Sequence, residues 1–257
     1  MDSDKSSIFG EHMTNEFLTK NSQYFKTDEN EEWTEVGTAI TNITPGSISN
    51  VVINTTPICP NMSNKEFRGL IMRLRDAALT LINERIADVA RWDMSAQDRA
   101  KFWFGRSDQY IRDRLNIGLP RLAAAMQELQ PEKIIRWDEQ KVVQLSCAIV
   151  PDRGTNDAAV CKPDSKRRYI AIYPLFCTLP PVAVSTNCQL KVIIHECTHY
   201  VDTFNSDDVM YGFGQGVGYW AQNDPEGACR NADSIACYMR ALRYANRVQS
   251  KEDLVIP

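Results

Sequence analysis

Two of the chain's three histidines, His195 and His199, stand four residues apart with Glu196 between them, in "QLKVIIHECTHYVDTFNSDDVMYG". Four residues is close to one helical turn, so on a helix the two imidazoles stack on one side and can converge on a single ion. Leu190, Ile193, Ile194, Cys197 and Val201 recur at spacings of three and four. That pattern predicts an apolar stripe facing the core, with the histidines roughly opposite. Glu196 flanks the histidine line, where a buried carboxylate without a partner would be costly. Cys197 belongs to the stripe and is a poor ligand. The segment therefore demands a core on one side and a polar constellation on the other.

A zinc ion held by two histidines needs a third protein ligand. The remaining histidine, His12, lies far upstream, which leaves a carboxylate or a cysteine. Asp202, Asp207 and Asp208 follow the motif. Asp202 competes with His199 for space on the same helix, whereas Asp208 is distant enough for the chain to turn back. Its neighbour Asp207 then faces outward. Tyr211 and Gly212 close the loop, bringing a phenol within reach of the cleft. Further on, "NADSIACYMRALRYANRV" reads as a helix with a core stripe of Ile235, Tyr238, Met239 and Leu242. Asn231, Asp233 and Ser234 at its start are either caps or acceptors for an imidazole N–H. The glycine-rich "GFGQGVG" lacks the preceding strand and following helix of a nucleotide loop, and reads as a mobile cleft wall anchored by Tyr219 and Trp220.

Elsewhere the 257 residues describe an α+β protein. Residues 1–62 form a polar, partly flexible leader with one edge strand and sequons at Asn42, Asn54 and Asn61. Residues 63–257 form the main domain, helical over about 63–140, with the sheet and the catalytic part over about 141–245. Phe67, Leu70, Ile71, Leu74 and Ala78 start a helical stripe that Leu81, Ile82 and Ile86 continue. Ser95, with Asp98 three residues on, reads as the cap of a short helix ending near Gly105. A third helix is expected to bend or break around Gly118 and Pro120. "KVVQLSCAIV" and "RRYIAIYP" read as strands.

Lysine and arginine number 29 against 33 acidic residues, and no basic tract offers nucleic acid or an anionic membrane a partner surface. No stretch has the apolar length of a membrane span. The N-terminus lacks the basic start and apolar core of a signal peptide. Action outside the producing cell would need another export route, and a cytoplasmic location remains the alternative. Eight cysteines permit disulfides without indicating pairs; several fall in helical patterns where a thiol would simply pack.

These residues resemble the aspzincin metalloendopeptidases, the family of deuterolysin and peptidyl-Lys metalloendopeptidase. That signature joins H-E-x-x-H to G-T-x-D-x-x-Y-G, and here "HECTH" precedes "NSDDVMYG". The family's aspartate ligand falls on Asp208, its tyrosine on Tyr211 and its closing glycine on Gly212, with Asn205 and Ser206 replacing Gly-Thr. The family's "NAD" falls on Asn231, Ala232 and Asp233. "WFG" at Trp103–Gly105, "QLSCAIV" and "YIAIYPLFCTLP" are similar to segments ahead of the family's zinc helix, so the resemblance spans roughly residues 63–245. In lysine-specific members an acidic residue three positions beyond the "NAD" aspartate helps hold the substrate ammonium; Ala236 stands there in this chain.

The resemblance implies a zincin-like fold and a Zn2+-dependent endopeptidase acting on protein or peptide substrates. His195, His199 and Asp208 are then the metal ligands, Glu196 the general base and Tyr211 an oxyanion donor. A delivered toxin cutting cell-wall peptides, restrained by an inhibitor or immunity protein, is one alternative. A non-catalytic protein stabilised by zinc is another, although such a site needs neither Glu196 nor Tyr211.

Overall fold

The computed structural model describes residues 56–240 apart from 142, 184, 185 and 214. The edge strand expected in the leader and Leu242 of the last stripe lie outside those residues. The first helix, α1 (Asn64–Arg91), opens on a reciprocal cap in which Ser63 and Glu66 each accept from the other's backbone N–H. Phe67, Ile71, Leu74, Ala78 and Ile82 are fully buried along it, as the spacing predicts. Asp88 is buried too, and Arg85, Arg91 and Arg99 converge on it.

Helix α2 (Met94–Phe104) starts two residues earlier than the Ser95 reading required. Its cap is Asp93, whose carboxylate accepts from Ala96 N at 2.9 Å. Helix α3 (Gln109–Glu128) runs unbroken past Pro120. Its buried face of Ile111, Leu115, Leu119, Leu122 and Met126 outweighs the one backbone bond that proline removes. Gly118 serves packing: a Cβ there would stand 2.2 Å from the Phe204 ring.

The sheet has three short strands in the order β1 (Ile134–Arg136), β3 (Ile170–Ile172), β2 (Ala158–Ala159). β1 pairs with β3 in parallel and β2 pairs antiparallel, so the sheet is mixed. "RRYIAIYP" contains β3 as expected. "KVVQLSCAIV" is not a strand; it follows a 3-10 turn at Trp137–Lys141 and is tied down by the Cys147–Cys161 disulfide. A second disulfide, Cys59–Cys177, joins the approach to α1 to the loop before the motif helix. Cys188, Cys197, Cys229 and Cys237 are buried thiols.

Four more helices follow among the described residues: α4 (Gln189–His199), α5 (Gln215–Asn223), α6 (Pro225–Arg230) and α7 (Ala232–Arg240). Every residue of α4 is buried, so the expected division into a core face and an open face does not hold. Helices α1, α3 and α7 pack around it, and Val201, past its end, is 54% exposed. The glycine-rich run is loop only at its start: Gly212 and Phe213 lie outside the helices, and α5 begins at Gln215. Gly218 lets the Phe102 ring approach α5; a Cβ would meet it at 2.3 Å. Tyr219 packs edge-on against the same ring, at 6.1 Å. No helix among the described residues is long and apolar enough to cross a membrane.

Candidate metal centre

Helix α4 presents His195 and His199 inward on consecutive turns, their Nε2 atoms 3.1 Å apart. Thr203 closes its C-terminal end, with Oγ1 donating to the Cys197 carbonyl at 2.8 Å. Asn205 then takes a left-handed conformation, φ 49°, which asparagine tolerates better than most residues. The chain doubles back there, and Ser206 N donates to the Thr198 carbonyl at 3.1 Å. Ser206 Oγ, the hydroxyl retained at this turn, bonds Thr198 Oγ1 at 2.7 Å.

Backbone bonds on both sides of Asp207 fix the next step: Asp207 N donates to the Arg230 carbonyl and Ala232 N to that of Asp207. Asp207 itself points outward to Lys162, 2.8 Å away, as the sequence suggests. Asp208 therefore turns inward. Its Oδ1 lies 3.1 Å from His195 Nε2 and 3.4 Å from His199 Nε2. Ligands about 2.0–2.1 Å from a tetrahedral ion stand about 3.3 Å apart, so this donor triangle fits a metal of that geometry. Among the described residues, His195, His199 and Asp208 are the group placed to hold a metal ion. Asp202 is occupied elsewhere, paired with Arg168 through both oxygens at 2.7 Å.

The other imidazole nitrogens are also held. His199 Nδ1 donates to the Ser206 carbonyl at 3.0 Å and His195 Nδ1 to Asp233 Oδ1 at 2.6 Å. Each Nε2 is thereby aimed at the common point. Asp233 is thus the imidazole acceptor that the sequence left open. Asn231 and Ser234 do not touch the imidazoles. Instead Asn231 Oδ1 accepts from Val209 N and Met210 N, at 3.1 and 3.0 Å, which clamps the loop beyond Asp208. Ser234 Oγ accepts from the Asn231 amide and steadies it.

Burial disfavours a charged His195, yet the Asp208 and Asp233 carboxylates hold its pKa up to about 10. Burial would likewise raise Asp208, but the two imidazoles hold it well below the usual carboxylate range. Glu196 is 5% exposed; burial raises its pKa and both imidazoles oppose that rise. Tyr211 is 69% exposed, with its ring 18° from parallel to that of His195 and 6.5 Å away. Burial of its hydroxyl and the neighbouring Asp208 push the phenol up, keeping it a proton-bearing donor.

The sequence reading missed Lys191. It is 5% exposed, one turn before His195, with Nζ 2.5 Å from Asp233 Oδ1. The available signal was its spacing of four from His195, which put a charge on the histidine side of the helix.

A profile of the aspzincin family, described as lysine-specific metallo-endopeptidase, matches residues 90–240. Among curated protein sequences none matches. A solved structure described as a zinc peptidase from Grifola frondosa superposes with a TM-score of 0.52 at 17% identity, over 70% of this chain and 96% of that one. At that identity the likeness is one of fold. The profile covers more than half of the sequence and includes the whole donor triangle, so the chain belongs to the aspzincin family of metallo-endopeptidases.

Proposed function

We propose that residues 63–257 form a zincin-like catalytic domain in which His195, His199 and Asp208 hold Zn2+ and Glu196 serves as general base for peptide-bond hydrolysis. The observation that carries this reading is the donor triangle with a buried carboxylate, Glu196, beside it. Two imidazoles and one carboxylate suit zinc, whose binding would displace the proton His195 otherwise carries, and leave a fourth position open to solvent. When bound, zinc supplies a Lewis acid that polarises the scissile carbonyl and acidifies a water molecule.

The remaining work belongs to the chain. Glu196 accepts the proton of the attacking water and returns it to the departing amine. Its burial favours that exchange, because burial lifts a carboxylate towards the pH at which it can both take and give a proton. Tyr211, beside Asp208 and over the His195 ring, donates a hydrogen bond to the oxygen on which negative charge develops. Asp233 and the Ser206 carbonyl hold the imidazoles in one tautomer. The two disulfides support action in an oxidising setting outside the producing cell.

Glu196→Gln tests the base. Turnover of a peptide library is expected to fall by at least about a hundredfold, while zinc content after dialysis stays near one per chain. Undiminished cleavage by this variant would remove Glu196 from the mechanism.

A further inference from the structure

The charge of Asp233 is already matched from inside the protein. Lys191 Nζ approaches its Oδ1 to 2.5 Å, and the two side chains are only 6% and 1% exposed. The same oxygen receives His195 Nδ1, and Oδ2 accepts from Gly212 N at 2.6 Å. At 1% exposure this carboxylate is closed to an arriving group while those side chains stay in place.

Among the described residues, the other carboxylates near the centre are no more available. Asp157 Oδ2 accepts from the Asn187 amide at 2.7 Å, and its Oδ1, although no group bonds it, is shut off from solvent. Asp207 points away, to Lys162. Ala236, the next position along the α7 face that carries Asp233, contributes only a buried methyl. Glu196 and Asp208 are committed to the reaction. Among the described residues, a substrate ammonium would thus lose its hydration without finding an accessible, unpaired carboxylate, which is strongly unfavourable. The rim beside Asp208 has the opposite character. Val209, Met210, Tyr211 and Phe213, which follow the metal ligand along the chain, all have exposed side chains that are largely apolar.

We propose that Lys191 is a built-in occupant of the cation position at Asp233, and that the enzyme consequently does not select lysine but cleaves beside uncharged, apolar side chains received by the Val209–Phe213 rim. This deepens the peptidase reading and rests on it. The internal ammonium neutralises the buried carboxylate permanently, and apolar burial against the rim supplies the binding energy that an ion pair would otherwise give.

The test compares kcat/KM for matched peptides carrying lysine or norleucine, a lysine without its ammonium, on either side of the scissile bond. The zinc-loaded wild type is expected to give a lysine-to-norleucine ratio below one at both positions. Lys191→Ala frees Asp233, and the ratio is expected to rise at least about tenfold. Lys191→Arg keeps the charge and should stay below one. A wild type that prefers lysine by tenfold or more overturns the inference while leaving the peptidase reading intact. A folded, active Lys191→Ala with an unchanged ratio also overturns it. Failure to cleave any peptide of the set sinks both. Should Lys191→Ala not fold, the wild-type and Lys191→Arg ratios decide the matter.

Discussion

Asn231 shows how much of a metal site can depend on a residue that touches no ligand. Its amide oxygen caps two successive N–H groups just past Asp208, and its nitrogen is held by Ser234. Asn231→Ala would orphan both donors, at about 1–3 kcal/mol each, and loosen the aim of Asp208. Zinc affinity, read by competition with a chelator, is expected to fall roughly 10–100-fold. The grouping of His195, His199 and Asp208 was legible because metal chemistry needs those types at those spacings. Asn231 was picked out as a cap or an imidazole acceptor, but its actual role lies in the loop N–H groups its side chain bonds, which sequence separation conceals. Lys191 escaped for a related reason: a lysine on a helix is usually solvated, and only the all-round burial of α4 makes it an internal counter-ion.

Among the elements, the helices were read well where periodicity was strong and poorly where a cap or a neighbour decided. Asp93 displaced Ser95 as the cap because its carboxylate reaches Ala96 N, and the apolar pattern begins too late to reveal that turn. The break foreseen at Gly118 and Pro120 did not occur. Gly118 is there for the Phe204 ring, a contact from a distant part of the chain. Gly118→Ala would force that ring or α3 to move, at a cost of about 1–3 kcal/mol measurable by urea denaturation. The missed strand β1 and the overcalled "KVVQLSCAIV" share one cause. At three residues β1 offers too little alternation to detect, and the apolar residues of the other segment follow a 3-10 turn instead of a ladder.

At the scale of the molecule, the α+β arrangement followed from the order of helical and extended patterns, but its covalent fastening did not. Eight cysteines admit many pairings, and distance in the fold alone selects among them. Cys59–Cys177 closes a loop of 118 residues, and on chain-entropy grounds its loss should cost up to about 5 kcal/mol. Cys147–Cys161, with a separation of 14, should cost about 3 kcal/mol. Serine replacement of each pair, followed by thermal melting, is expected to place the two in that order.

The longer disulfide also bears on how such an enzyme would age. Any nick between residues 59 and 177, self-inflicted or otherwise, leaves both fragments linked through sulfur. A damaged molecule would migrate as an intact band on a non-reducing gel and come apart only once thiol is added.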